Sequence, residues 1–287
     1  MKIVTDCAAD MPAGELESLG ITQAPLFIQF PEGEVNSADL TADEFYDRLE
    51  AMRPDIPSTA QPSGGLFTQL YRELARQDPE ILSIHISSGL SGTINAARDG
   101  GQQAEPEARV SFWDTMTLSG TQRFQVMAAA LAVRAGWTRQ AIETRLEKIR
   151  AASEVVYTLE TLEYLARGGR IGRVKALAGA LLHLKPVIRV EHADGKYSTV
   201  TSTRTLPKAM DAISSHLTDM FGNKPLWVTV LHGRFAEKAA DLNGMLQKQL
   251  NVARSEVMRI SPVLGVHTGP GIVGAAVVPM DLMEDLI

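Results

Sequence analysis

The strongest constraint on this chain is a rhythm in its first half, where apolar runs of strand length alternate with stripes at helical spacing. Residues 2–5, 26–30, 81–86 and 109–113 read as strands. Between them, Phe45, Leu49 and Met52, and then Leu66, Phe67, Leu70, Tyr71 and Leu74, recur as one face of a helix. Thr41 with Glu44 three residues on is a capping box for the first stripe, and Ser63 can cap the second. Further helices are expected from near Ile94, over 122–134 and over 138–152. Strands separated by helices build a largely parallel sheet, because parallel neighbours need a crossover.

The second half changes rhythm. Residues 155–159 read as a strand, followed by a short helix that stops at Arg167-Gly168-Gly169-Arg170. Residues 186–190 and 196–201 flank Asp194-Gly195, a hairpin signal. Helices over 205–221 and 235–250 then mix with strand material at 226–231, Val257 and 272–278. The expectation is an α/β protein of two domains. Residues 1–155 form a mostly parallel layer, and residues 156–287 a smaller mixed-sheet domain.

Composition excludes several functions. A single cysteine, Cys7, rules out a disulfide scaffold and cysteine-rich metal sites, and fits a reducing cytoplasm. The six histidines are scattered, so no metal is expected. With 28 Lys+Arg against 34 Asp+Glu, the chain lacks the basic footprint of a nucleic-acid binder. The N-terminus meets Asp6 before any long apolar core, so no signal peptide is expected. The longest uncharged stretch, 260–280, carries three prolines and cannot be one spanning helix, so no stable membrane insertion is expected.

Four segments can carry chemistry. Ile86-Ser87-Ser88-Gly89-Leu90-Ser91-Gly92-Thr93 sets hydroxyls and glycines where a strand passes into a helix. Ligands gather at the carboxyl ends of such strands, and a helix N-terminus suits an anion; Ser91 either binds one or merely caps the helix. Pro57-Ser58-Thr59-Ala60-Gln61-Pro62-Ser63 is an extended hydroxyl-bearing loop or a rigid connector. Arg167 to Arg173 joins glycines to forked donors, or is a helix end whose basic residues face the negative pole. Val266-His267-Thr268-Gly269-Pro270-Gly271 places a histidine in a Gly/Pro loop before an apolar strand, where it can face a cleft. No self-contained catalytic set is visible. The apolar segment 174–184 is a candidate tunnel wall or ordinary core.

Taken together, Thr5-Asp6-Cys7-Ala8-Ala9-Asp10, the 58–63, 86–93 and 162–172 segments and Gly265 to Gly271 resemble, in order and over nearly the whole chain, the DegV family of bacterial fatty-acid-binding proteins. The resemblance implies a non-catalytic lipid-binding protein with a long-chain fatty acid, such as palmitate or oleate, as its ligand and no cofactor. It implies that Thr59 and Ser91 hold the carboxylate, with His267 near the same head group. It further implies a partner fatty acid kinase, with Arg170 facing the phosphate. Two departures bear on the head group: Cys7 replaces a usual Ser, and Ala60 a frequent Ser. The alternative is a small-molecule kinase or phosphatase using the Ser91 and Arg170 loops around phosphate, with Asp6 and Asp10 as its only tempting acids. A hydrolase built on Ser91 and His267 lacks an elbow and an acid partner.

Overall fold

The computed structural model describes residues 1–174 and 184–287, the Arg173 side chain excepted, so the wall read at 174–184 lies almost wholly outside the described residues. The first half holds the strands β1 (Lys2–Asp6), β2 (Ile21–Ala24), β3 (Phe27–Phe30), β4 (Gly33–Asn36), β5 (Ser58–Ala60), β6 (Glu80–His85) and β7 (Arg109–Asp114). Four of them make a parallel sheet in the order β2-β1-β6-β7. Its connections run through helices α1 (Ala13–Leu19), α2 (Ala42–Ala51), α3 (Gly64–Ala75) and α4 (Thr93–Ala104). The capping box forms at α2: Thr41 Oγ1 accepts from Glu44 N at 3.2 Å, and Glu44 accepts from Thr41 N at 2.9 Å. Ser63 caps α3 through Leu66 N at 3.2 Å.

The run at 26–30 leaves this layer. It becomes β3, the centre of a small antiparallel sheet ordered β4-β3-β5. Only Pro25 and Leu26 separate β2 from β3, far too little chain for a parallel crossover. The loop read between Pro57 and Ser63 contains β5, which takes an edge of that sheet, where nearby prolines do no harm.

The second half supplies β8 (Glu154–Leu159), β9 (Lys185–Val190), β10 (Tyr197–Thr203), β11 (Leu226–His232), β12 (Val252–Arg259) and β13 (Ile272–Pro279). They form one mixed sheet ordered β10-β9-β8-β13-β11-β12, in which only β11 and β12 run parallel. Among the described residues the remaining helices are α5 (Ser119–Arg134), α6 (Arg139–Ala152), α7 (Glu163–Arg167), α8 (Leu206–Phe221), α9 (Ala236–Gln249) and α10 (Pro262–Thr268). Among the described residues, none is long and apolar enough to cross a membrane.

Helix α5 joins the two halves. It is buried over almost its full length, and Phe124 and Met127 share one core with Ile3 and Ile84 of the parallel sheet and Tyr157 and Ala276 of the mixed sheet. A helix covered on all sides needs apolar or small residues all round, which the Val126-Met127-Ala128-Ala129-Ala130 run provides. Its buried charge is matched: Arg123 Nε reaches Glu15 of α1 and Nη1 reaches Glu256 of β12, each at 2.6 Å. The β9–β10 turn also docks on the first half, where Ser87 Oγ donates to Gly195 O at 2.8 Å. A Cβ on Gly89 would stand 2.5 Å from the Asp194 carbonyl oxygen, so this approach requires glycine.

One further departure concerns the histidine motif. Residues 262–268 form the short helix α10, not a loop, and all seven are buried. Pro262 at its first turn has the φ a helix start wants, and the apolar Val263, Leu264 and Val266 give the helix a buried face.

Candidate functional site

Thr59, Ser91, Arg170 and His267 come from four separate elements and line one cavity of about 340 Å³. Thr59 stands on β5, held in register opposite Ile28 of β3. Ser91 lies in the tight turn after β6, where Leu90 N and Ser91 N both donate to Ser87 O at 3.0 Å. Gly92, not Ser91, takes the N-cap position of α4, and Ser91 Oγ accepts from Thr93 N at 3.3 Å. Arg170 follows the α7 C-terminus, which Gly168 caps, and its Nη1 donates to Gly168 O at 2.7 Å. His267 stands near the end of α10.

These side chains touch in pairs. Thr59 Oγ1 lies 2.9 Å from His267 Nε2, and Ser91 Oγ lies 2.8 Å from Thr93 Oγ1. His267 is only 8% exposed. Burial, helped by the nearby Arg170 charge, pushes its pKa down to about 4, so the ring is neutral at neutral pH. His267 therefore serves as a neutral hydrogen-bonding group, and among the described residues Arg170 is the fixed cation of the cavity wall.

Gln61 adds an amide to this end, beside the Ser91-Gly92 turn, and the remaining lining is mostly hydrocarbon. Leu26, Ile86, Leu90, Val263 and Leu264 close around the polar end, with Tyr197 of β10 opposite. A second, tighter cavity of about 10 Å³ shares Tyr197 and Leu264 as a common wall and is lined beyond them by Leu118, Tyr157, Leu231, Ile260 and Ile272. Hydroxyl donors at one end and hydrocarbon beyond suit an amphiphile with an acceptor head group.

The two departures fall apart in space. Ala60 lines the cavity with a methyl group alone. Cys7 borders a different cleft, points its thiol at Ala24 O at 3.6 Å, and is pushed up to about 12 by burial. The acids Asp6 and Asp10 are both absorbed by the fold. Asp6 accepts from Ala8 N, Ile86 N, His85 Nδ1 and Gln122 Nε2 at 2.9–3.1 Å. Asp10 accepts from Ser119 Oγ at 2.5 Å and Ser261 N at 2.7 Å. Among the described residues no cluster of His, Cys, Asp and Glu is arranged to hold a metal.

Tyr197 and Thr93 are the participants that sequence reasoning missed. Tyr197 stands on the hairpin the sequence signals, but the docking of that hairpin against the first half, which brings it to the cavity, leaves no local mark. Thr93 sits inside the quoted 86–93 motif, and its short spacing from Ser91 is the signal that could have found it.

Comparisons with known proteins bear on the family and the fold. The family model described as DegV family, uncharacterised protein, matches residues 1–280. A DegV domain-containing protein of Deinococcus radiodurans is 34% identical over 96% of this chain and 95% of its own length. A DegV family protein from Thermus thermophilus, described as binding fatty acid, has a TM-score of 0.90 and 30% identity over 97% of this chain and 99% of its own. A stearic acid-binding protein from Eubacterium ventriosum has a TM-score of 0.89 and 25% identity over 97% and 98%. With its α/β architecture, its paired hydroxyl loops and a match that spans all but the last residues, the chain belongs to the DegV family.

Proposed function

We propose that this protein binds a long-chain fatty acid such as palmitate or oleate, holds the carboxylate at a head-group site formed by Thr59, Ser91 and, behind them, His267, and presents it to a partner fatty acid kinase. The observation that carries the reading is the convergence of two hydroxyls, a neutral histidine, an arginine and the Gln61 amide on one cavity whose other walls include Leu26, Ile86, Leu90, Val263 and Leu264. A carboxylate buried without hydrogen bonds would shift its pKa and neutralise; these donors let it stay charged. The acyl chain then runs past Tyr197 and Leu264 toward the tighter apolar cavity, where each buried CH₂ contributes about 0.8 kcal/mol. Tyr197 and Leu264 have to separate to admit it. Both structural relatives described above, which bind fatty acids, support the same ligand class.

The protein acts as a carrier rather than an enzyme in this reading, within the reducing cytoplasm that its single buried cysteine suits. Residues 1–155 and 156–287 are its two domains, with the lipid between them; the mixed sheet that begins at Glu154 and the cavity lined from both sides support the division. Arg170 faces the phosphate once the kinase has acted. A guanidinium fork binds phosphate oxygens bidentately and an ammonium does not.

The binding reading is tested by extracting the purified protein with organic solvent, identifying the extract by mass spectrometry, and titrating the delipidated protein with palmitate and oleate. A co-purifying acid and saturable binding at about one site are expected; no saturable binding of either acid overturns the reading. Arg170→Lys is expected to keep palmitate affinity within a few-fold and to depress phosphorylation by the cognate kinase. Wild-type phosphorylation of that variant would make Arg170 a residue that only steadies the end of α7.

A further inference from the structure

The two hydroxyls at the cavity each share a hydrogen bond with a residue behind them, and a hydroxyl has one proton to donate. If Thr59 donated to His267 and Ser91 donated to Thr93, both oxygens would face the cavity as acceptors and repel an anionic head group. The direction of these two bonds therefore decides what the cavity accepts.

At Ser91 the direction follows from burial. Thr93 is fully buried, and Ser91 Oγ, 2.8 Å away, is the one acceptor its hydroxyl meets among the described residues. The Thr93 proton is satisfied only when it goes to Ser91; the opposite direction strands a buried donor, which is the costly outcome.

At His267 the direction follows from the surroundings of the other ring nitrogen. Nδ1 is shut from solvent and meets no hydrogen-bond partner among the described residues. It abuts Gly168 so closely that a Cβ there would overlap it. A proton on Nδ1 would meet the glycine Cα instead of an acceptor, and stranded N–H groups are rarer in proteins than under-used acceptors. Arg170, whose Nη1 is anchored on the Gly168 carbonyl, places positive charge near the ring and favours a bare lone pair there. The single proton of the neutral ring then sits on Nε2, aimed at Thr59.

We infer that His267 donates from Nε2 to Thr59 and Thr93 donates to Ser91, so that Gly168 and Thr93 are positioning residues that leave both cavity hydroxyl protons to an acceptor-only head group. The inference rests on the carboxylate reading for its ligand, but the bond directions are properties of the chain itself. An acid is favoured over an alcohol of the same length, because the two hydroxyl protons then meet a charged carboxylate with two acceptor oxygens, and hydrogen bonds to a charged group are about twice as strong as neutral ones.

The test has two parts. Long-range ¹⁵N–¹H spectra of the intact protein, delipidated and palmitate-loaded, report the His267 tautomer. A bare, pyridine-like Nδ1 with a protonated Nε2 is expected in both states; a protonated Nδ1 overturns the inference, whether or not palmitate binds. Palmitate and hexadecanol affinities of Thr93→Val and Gly168→Ala form the second part. Thr93→Val is expected to weaken palmitate about three- to tenfold, as Ser91 loses the bond that orients it, with hexadecanol almost unmoved. A gain in palmitate affinity would mean that Ser91 had been donating to Thr93, and would overturn the inference. Gly168→Ala, which displaces the His267 ring, is expected to weaken palmitate by at least about tenfold and hexadecanol less; equal losses for both ligands would reduce Gly168 to a packing role. Absence of saturable palmitate binding in the wild type overturns the ligand reading alone, and the spectra of the unliganded protein still decide the bond direction.

Discussion

Two histidines of this fold sit in hydrogen-bond chains with a hydroxyl at one nitrogen, and they end differently. His85, at the end of β6, is fully buried with both nitrogens engaged: Nδ1 lies 2.9 Å from Asp6 Oδ2, and Nε2 lies 2.7 Å from Ser83 Oγ. The chain continues to Tyr71 at 2.8 Å. With Nδ1–H donating to Asp6, Ser83 donates to Nε2 and Tyr71 donates to Ser83, so every proton is placed. His267 has a hydroxyl at Nε2 but no carboxylate among the described residues, and its hydroxyl partner opens on a cavity. At His85 the fold brings its own acid and closes the network into a strut. At His267 no such acid stands among the described residues, and under the proposed function the ligand supplies it. An Asp-His-Ser order is therefore present at Asp6, His85 and Ser83, yet all three are 0% exposed and no substrate can reach them.

The largest effect is expected at the closed network. Asp6→Ala removes the acceptor of two backbone amides and of His85, deep in the core. Breaking a buried pair by removing one partner costs about 3–5 kcal/mol. Urea denaturation should show that loss, while the folded fraction still binds palmitate within a few-fold. A loss below about 1 kcal/mol would mean that the network does not hold the strand ends together.

At the open site the pattern inverts. Thr59→Val and Ser91→Ala each remove a hydrogen bond to a charged group, worth roughly 1.5–3 kcal/mol, or about one to two decades in palmitate affinity. Each substitution also strands the proton that Thr93 or His267 gives to these side chains, so denaturation midpoints should fall as well, but by less than for Asp6→Ala. Titrating the methyl ester beside the acid sharpens the contrast. An equal loss for both would show a packing defect in place of a lost head-group contact.

What the sequence showed of these two histidines was unequal, for physical reasons. Helix caps are local, so Thr41, Ser63 and the helices behind them could be read directly. The parallel order of β1, β6 and β7 follows from crossover lengths, but the departure of β3 into its own sheet is set by pairing partners thirty residues away in β5. His267 was marked by its Gly-Pro surroundings, although those residues form a helix end. The Asp6–His85 strut left no mark, because its members are 79 positions apart and surrounded by ordinary strand residues. The convergence of Thr59 and His267, 208 positions apart, was legible only through family resemblance.

The smallest net effect is expected in the pH dependence of stability, where two buried groups oppose each other. His267 titrates near 6.5 when unfolded and at about 4 in the fold, lowered first by burial and then by Arg170. The unfolded chain takes up its proton first, so the His267 contribution is complete above pH 6.5 and is lost as pH falls toward about 4. Asp10 runs the other way. Burial raises its pKa from 3.8 to about 6, against the hydrogen bonds from Ser119 and Ser261 and the Arg123 charge. The folded chain keeps that proton longer, so the Asp10 contribution is complete below pH 3.8 and is lost as pH rises through about 6. Between about pH 4 and 6 the two slopes have opposite sign, and their sum in the wild type is close to flat. Removing either group exposes the other. His267→Gln should leave stability falling as pH rises across this window, and Asp10→Asn should leave it rising, both read from urea denaturation across the window. If the two variants tilt the same way, His267 and Asp10 are not the opposing pair, and the neutral histidine at the open site loses its thermodynamic support.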